Sequence, residues 1–155
     1  MNRYILAVLF LFVAGTAICQ QRNWQGTYGI NYGKTDESAY KQLEIYYESP
    51  TKIYFYLEAN NGAPAYNSGS LYGRLTLNKT TGNMEYLPTS ADGDCKLEFI
   101  KNGTKIIVKT RSGVCPFGHG VIADATYTLR NKANPAYFTD MTGEKTWFKK
   151  TPPTP

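Results

Sequence analysis

Residues 43–58, LEIYYESPTKIYFYLE, decide the fold class of this chain. Leu43, Ile45 and Tyr47 alternate with polar or aromatic residues, and a second run after residues 49–52 alternates in the same way. A period of two is typical of a β-strand with one buried face, and Ser, Pro and Thr at the junction favour a turn. The stretch therefore predicts two antiparallel strands joined by a tight turn.

The rest of the chain contains more short alternating runs and no convincing helical period. Loops rich in Gly, Asn and Pro separate these runs at the spacing of antiparallel hairpins. A meander of this kind removes its exposed edges best by closing on itself. We therefore predict an all-β fold, an antiparallel up-and-down barrel of about eight strands, with an open β-sandwich as the alternative. The runs lie at 24–32, 43–48, 53–58, 70–77, 84–88, 97–99, 106–108, 121–129 and 145–149.

Residues 101–104, KNGT, form the clearest turn signal. Asn-Gly between two alternating runs is typical of a two-residue hairpin loop, because both central residues then take a positive φ. Counting outwards from this turn, Phe99 faces Ile106 and Leu97 faces Val108. All four apolar side chains then share one face of the hairpin, and a shift by one residue would break that match.

The N-terminus has the pattern of a secretory signal peptide. The run Tyr4–Ala14 follows one basic residue and precedes small residues, and it is shorter than the roughly 20 apolar residues that span a bilayer. Cleavage after Ala17 or after Cys19 fits the small residues there. Lipid anchoring at Cys19 is less favoured, because Ile18 is bulky. We expect a signal peptide at 1–19, a barrel domain at 20–150 and a Pro-rich tail at 151–155, in a protein exported to the periplasm or the cell exterior.

Cleavage after Cys19 leaves two cysteines, Cys95 and Cys115. An even number in an exported protein predicts a disulfide, and a closed loop of about 20 residues gives it about 3 kcal/mol of stabilising effect. Cys95 begins the first strand of the Asn-Gly hairpin and Cys115 follows the second. Both cysteines should therefore lie at one end of the sheet, where the bond would hold the loop at 112–119.

Two stretches resemble known proteins. Residues 24–28, WQGTY, are similar to the opening strand of lipocalin-like and avidin-like barrels, where an early aromatic residue plugs one barrel end. Residues 94–99, DCKLEF, with 113–127, GVCPFGHGVIADATY, resemble a segment of small exported bacterial proteins, mostly uncharacterised, some of them linked to lysozyme inhibition. The resemblance implies a barrel, export and a disulfide, and it brings no catalytic residues.

Residues that carry chemistry are few. His119 is the one histidine, and it lies between glycines in a loop where no nucleophile is evident beside it. Glu85, Asp92 and Asp94 do not have the spacing of a calcium loop. The net charge of +5 is mild, with its excess at Lys96, Lys101, Lys105, Lys109 and Arg111, and we interpret it as a solvated strand face. We therefore predict no enzyme, no metal and no cofactor.

The sequence thus favours an exported, non-catalytic binding protein that docks onto another protein, as an inhibitor or immunity-type factor does. Scaffold barrels carry function on loops, so loops 60–68 and 112–119 are the candidate contact regions. The thirteen tyrosines supply candidate contact surface as well, because tyrosine combines a large ring with a polar tip. The candidate contact residues are Tyr46, Tyr54, Tyr56, Tyr66, Phe117 and His119.

The alternative is a carrier that holds a small apolar or aromatic ligand inside the barrel. The residues that would line its cavity are Trp24, Tyr28, Tyr32, Tyr47 and Tyr127. We expect a protein partner or a small ligand, no nucleic acid and no transmembrane segment. The sequence leaves open the identity of the partner and the oligomeric state.

Overall fold

The computed structural model of the chain describes residues 24–31, 38–88 and 94–153. The signal peptide predicted at 1–19, Tyr32 and Asp92 lie outside these ranges. No helix in the described part is long and apolar enough to cross a membrane.

The fold is all-β, as predicted, and its sheet is a closed barrel rather than an open sandwich. Each of eight antiparallel strands pairs with the next, and β8 pairs with β1 to complete the ring. Closure leaves no barrel edge exposed to another chain. The strands are β1 Gly26–Ile30, β2 Tyr40–Ser49, β3 Lys52–Asn60, β4 Ser68–Leu77, β5 Met84–Tyr86, β6 Lys96–Asn102, β7 Lys105–Ser112 and β8 Ala125–Asn131.

Large apolar side chains point into the interior of the barrel. Tyr28, Phe55, Phe99 and Tyr127 are fully buried and belong to one contiguous apolar cluster. The inward faces predicted for 43–58 are confirmed, because alternate residues of β2 and β3 lie in this cluster. Burial of each large apolar side chain contributes about 1.5–3 kcal/mol, so this interior cluster is the main source of the stability of the fold.

The β6–β7 hairpin has its predicted faces but a different turn. Phe99 pairs with Val108 instead of Ile106, and Asn102 pairs with Lys105. The two-residue loop is therefore 103–104, one position later than predicted. Gly103 takes a φ of 59° while Asn102 stays in β6, which is the pattern of a II′ turn with Gly at its first central position. Each partner shifts by two residues, so every side chain keeps its face.

The predicted eighth run is only partly a strand, and the last one lies outside the barrel. β8 begins at Ala125, while Val121 and Ala123 are buried within the preceding loop. The run predicted at 145–149 corresponds to β10 Lys145–Trp147, which pairs with β9 Tyr137–Thr139 in a separate two-stranded sheet.

The β9–β10 hairpin packs against the outer face of β2, β3 and β4. Phe138 stacks on Tyr56 with ring centroids 4.0 Å apart, and Phe148 stacks on Tyr46 at 5.3 Å. Phe138 and Phe148 also contact each other edge to face at 5.2 Å. This second apolar cluster covers a barrel face that alternation alone would leave in water.

The two ends of the barrel differ. Short turns at 49–52, 78–83 and 102–105 lie at one end, which we call the turn end. Residues 61–67, 87–88, 94–95 and 113–124 lie at the opposite end, which we call the loop end. Functional residues concentrate on longer loops that a rigid scaffold positions.

Candidate binding site at the loop end

The predicted disulfide is present and holds two loops of the loop end. Cys95 and Cys115 are bonded, with their Cα atoms 4.5 Å apart. Next to the bond, the Val114 amide donates a 3.0 Å hydrogen bond to Asp94 Oδ1. Gly113 has a φ of 78°, and a Cβ there would lie 2.0 Å from the Asp94 carbonyl oxygen. The local sequence therefore needs glycine to bring the chain this close to Asp94.

Backbone contacts join the same loop to β4. Gly69 and Phe117 form an isolated antiparallel bridge, and the Gly118 amide donates a 3.0 Å hydrogen bond to the Ser68 carbonyl. Both glycines permit close approach, because a Cβ at Gly118 would lie 2.5 Å from that carbonyl oxygen. The backbone of the 113–124 loop thus pairs with the first residues of β4.

Two asparagine side chains complete the connection between the candidate loops. Asn67 Nδ2 donates a 2.8 Å hydrogen bond to the His119 carbonyl, and Asn61 Nδ2 donates one of 3.1 Å to the Gly120 carbonyl. The two loops that the sequence proposes as contact regions are therefore neighbours. Each such hydrogen bond contributes about 1 kcal/mol to the stability of this loop arrangement.

A lysine fixes the other side of the 113–124 loop. Lys41 Nζ donates hydrogen bonds to the carbonyls of Ile122, at 2.7 Å, and of Asp124, at 3.1 Å. Burial lowers the pKa of Lys41, and the Asp124 carboxylate acts in the opposite direction. The Thr110 amide in turn donates a 2.9 Å hydrogen bond to Asp124 Oδ1. The loop is thereby attached to β2 and β7 as well as to β4.

The 61–67 loop has a compact backbone with Tyr66 on its surface. The Tyr66 amide donates a 2.8 Å hydrogen bond to the Gly62 carbonyl, and the Asn61 amide donates one of 2.9 Å to the Asn67 carbonyl. Tyr66 takes a φ of 49°, in the left-handed region that bulky residues rarely occupy. The loop thus holds an aromatic side chain outward at some conformational cost, as functional sites often do.

Exposed apolar residues concentrate at the loop end. Tyr66 is 52% exposed, Leu87 54%, Val114 84% and Ile122 59%. Among the described residues, the other large exposed apolar side chains all lie on or between β9 and β10. Sequence reasoning found Tyr66 but missed Leu87, Val114 and Ile122. The available signal was an apolar side chain outside the alternating runs for Leu87 and Val114, and a position out of phase with Val121 and Ala123 for Ile122.

The other predicted contact residues have different environments. Tyr54 and Tyr56 are buried in the cluster below β9–β10, and Tyr46 packs against its rim, so this face is covered. Phe117 is half-buried against the barrel core at the loop end. His119 is exposed there, and its carbonyl holds Asn67. Of the predicted set, Tyr66, Phe117 and His119 come together.

The described residues proposed to line a ligand cavity are buried inside the barrel. Trp24, Tyr28, Tyr47 and Tyr127 all belong to the interior cluster. The Tyr28 hydroxyl donates a 3.0 Å hydrogen bond to the Trp24 carbonyl, and burial raises its pKa to about 12. The Tyr127 hydroxyl likewise donates 2.8 Å to the Ala123 carbonyl.

Another lysine, Lys101, points into the barrel at the turn end. Lys101 Nζ donates a 3.1 Å hydrogen bond to the Tyr28 hydroxyl. The same ammonium lies 5.3 Å from the Tyr28 ring centroid and 5.9 Å from that of Trp24. Burial lowers the pKa of Lys101. The apolar stem of a lysine can pack inside a barrel end while its ammonium group stays near water.

Two buried carboxyl groups lie on the outer face of β2 and β3. The Tyr56 hydroxyl donates a 2.7 Å hydrogen bond to Glu58 Oε2, and the Tyr40 hydroxyl donates to Glu58 Oε1. Burial raises the pKa of Glu44 to about 7, the nearby Glu58 adds to this effect, and a hydrogen bond from Gln42 opposes it. A carboxyl group whose pKa is raised in this way is expected to make the free energy of unfolding depend on pH.

The acidic residues considered as cation ligands are engaged elsewhere. Asp94 accepts from the Val114 amide, and Glu85 accepts a 2.8 Å hydrogen bond from Asn78. Glu98, opposite Glu85, accepts from Asn83 at 2.9 Å and pairs with Arg111, and these partners lower its pKa. Residues 24–31, 38–88 and 94–153 contain no group of three His, Cys, Asp or Glu arranged to hold a metal ion.

Comparisons with family models, with curated proteins and with solved structures find no match to this chain.

Proposed function

We propose that this protein is an exported, non-catalytic binding protein that docks onto another protein with its loop end. One observation carries the proposal: Tyr66, Leu87, Val114 and Ile122 are exposed on three connections at a single barrel end. Exposed apolar side chains that fold stability does not require are typical of interaction sites. Tyrosine in particular is enriched among the residues that dominate binding energy.

The rigidity of these loops supports the proposal. The disulfide, the Gly69–Phe117 bridge and the hydrogen bonds of Asn61, Asn67 and Lys41 hold the loop end before any partner arrives. A preorganised surface loses less conformational entropy on binding than a mobile one. The disulfide also supports export, because such bonds persist in oxidising compartments.

The test is capture of a partner from the extracellular or periplasmic fraction of the organism that produces the protein. The full chain should retain one protein at a fixed stoichiometry. Tyr66→Ser with Val114→Ser should weaken retention at least tenfold, since hot-spot side chains contribute about 2 kcal/mol or more. Thr80→Ser, exposed in the 78–83 turn at the turn end, is the control and should retain the partner fully.

Equal retention by the double variant and the control would contradict docking at the loop end. A small apolar molecule that co-purifies with the full chain and binds equally well to the double variant would favour the carrier alternative instead.

A further inference from the structure

The β9–β10 hairpin has apolar residues on both faces, and packing explains only one of them. Phe138 and Phe148 point to the barrel and are buried. On the opposite face Tyr137 pairs with Trp147, with ring centroids 5.2 Å apart, and these side chains are 38% and 43% exposed. Met141, in the turn between the strands, is 46% exposed. The fold does not require a tryptophan, a tyrosine and a methionine in water at these positions.

Lysines surround this outer face. Lys145 Nζ lies 4.6 Å from the Tyr137 ring centroid, and Lys150 Nζ lies 5.2 Å from that of Trp147. Lys149 is exposed beside them. The turn between the strands carries two carboxylates, Asp140 and Glu144, and Asp140 accepts three hydrogen bonds there, including one of 2.9 Å from the Thr142 amide. The three lysines outnumber these two carboxylates, so the hairpin keeps a small positive charge.

We propose that the outer face of β9–β10, formed by Tyr137, Lys145, Trp147 and Lys150, binds the surface of an anionic lipid bilayer. Trp and Tyr favour the headgroup region, because one part of each ring is apolar and another is polar. Lysines beside them then reach lipid phosphates with the ammonium while their stems stay among apolar groups. The positive charge of the face is complementary to an anionic leaflet.

The ring geometry favours a bilayer over an anionic glycan. A sugar ring stacks on an open aromatic face, whereas here an ammonium already lies over a face of each of the two rings. Insertion into a headgroup layer uses the ring edges and leaves the ammoniums in place. The buried Phe138 and Phe148 attach the hairpin to the barrel. Insertion of the outer face would therefore bind the whole protein to the bilayer surface.

The experiment measures binding of the full chain to vesicles of phosphatidylcholine containing 30% phosphatidylglycerol, and to vesicles of phosphatidylcholine alone. We expect at least tenfold tighter binding to the anionic vesicles, lost at high salt, since each lysine near such a surface contributes about 1 kcal/mol. Trp147→Ala and, separately, Lys145→Gln with Lys150→Gln should each weaken it about tenfold.

Lys105→Gln with Lys109→Gln is the matched control, because it removes the same charge from exposed positions of β7. It should weaken binding by less than threefold. All variants share the N-terminal segment, so any affinity of that segment for lipid cancels between them. Trp24 is buried, so a blue shift of tryptophan emission on vesicle addition should come from Trp147.

Equal losses in the two lysine variants would overturn the proposal, because binding would then follow net charge alone. Binding that Trp147→Ala leaves unchanged would also overturn it. If the full chain ignored the anionic vesicles but bound heparin with the same dependence on Trp147, the occupant would be a soluble polyanion instead of a bilayer.

Discussion

Gly69 in β4 and Phe117 in the 113–124 loop form a single antiparallel bridge, and a Cβ at Gly69 would lie 2.6 Å from the Phe117 Cα. Only glycine lets the loop approach the strand this closely, because the obstructing atoms belong to the backbone and to a packed ring. This contact couples the barrel to the loops that carry the exposed apolar residues.

Gly69→Ala should separate that loop from β4. Forcing a methyl group into a packed site costs about 1–3 kcal/mol, so we expect a lower Tm and faster hydrogen exchange at the Gly118 amide, which bonds to the Ser68 carbonyl. Ser68→Ala is the control, because the bond uses only the backbone of that residue. Unchanged hydrogen exchange at the Gly118 amide in Gly69→Ala would contradict the coupling of this loop to β4.

Removal of the disulfide should destabilise the fold and loosen one loop. The bond closes a sequence separation of 20 residues, so its loss should cost about 3 kcal/mol. Cys115→Ser is expected to lower the Tm under oxidising conditions and to speed exchange across residues 112–119. Wild type treated with a reducing agent should melt like the variant. The same Tm for oxidised wild type and Cys115→Ser would exclude a stabilising role for the bond.

The buried Glu44 carboxyl should make stability fall as pH rises. Burial raises its pKa to about 7, above the ordinary value of 4.5, so the folded state binds the extra proton between these limits. The stabilising effect is complete below pH 4.5 and is lost as pH rises through 7, on the order of 3 kcal/mol in total. Glu44→Gln should flatten this dependence in urea titrations from pH 4.5 to 8.

Glu48→Gln is the matched control, because Glu48 lies on the same strand and is only partly buried beside Lys52. It should keep the wild-type slope of stability against pH. A wild-type protein that is equally stable at pH 5 and pH 8 would contradict the raised pKa of the Glu44 carboxyl.

The β9–β10 hairpin should depend on its inner aromatic pair. Phe148→Ala removes a fully buried ring that stacks on Tyr46, and the cost is expected to be about 3–5 kcal/mol. Tyr54 and Tyr56 would then become accessible, which limited proteolysis and tyrosine fluorescence would detect. Tyr137→Ala, on the exposed face of the same hairpin, should change stability by less than 1 kcal/mol. Similar losses in both variants would mean that the hairpin does not dock by one face.

Much of the barrel follows from local pattern. Leu43, Ile45 and Phe55 point inward because alternation with a period of two is a property of the strand itself. The disulfide followed from the number of cysteines and from the hairpin between them. The turn of that hairpin was placed one residue early, because Asn-Gly favours I′ geometry while Gly103 alone takes the positive φ.

The covering hairpin and most of the candidate site could not be derived in this way. Tyr54 and Tyr56 stand on the outward face of β3, and local pattern does not say which distant segment packs on them. The excess of aromatic residues on that face was the available signal, with Phe138 and Phe148 as its complement. Proximity of Asn67 to His119 likewise depends on barrel closure, which brings together loops far apart in the chain.

Photo-crosslinking from position 114 tests the central claim most directly. Val114 is 84% exposed beside the disulfide, so a photoreactive phenylalanine analogue there should leave the fold unchanged. In the producing organism we predict a crosslink to one protein from position 114, and none from Thr80, which is exposed in the 78–83 turn at the turn end. Absence of a crosslink at 114, or equal crosslinking at both positions, would contradict docking through the loop end.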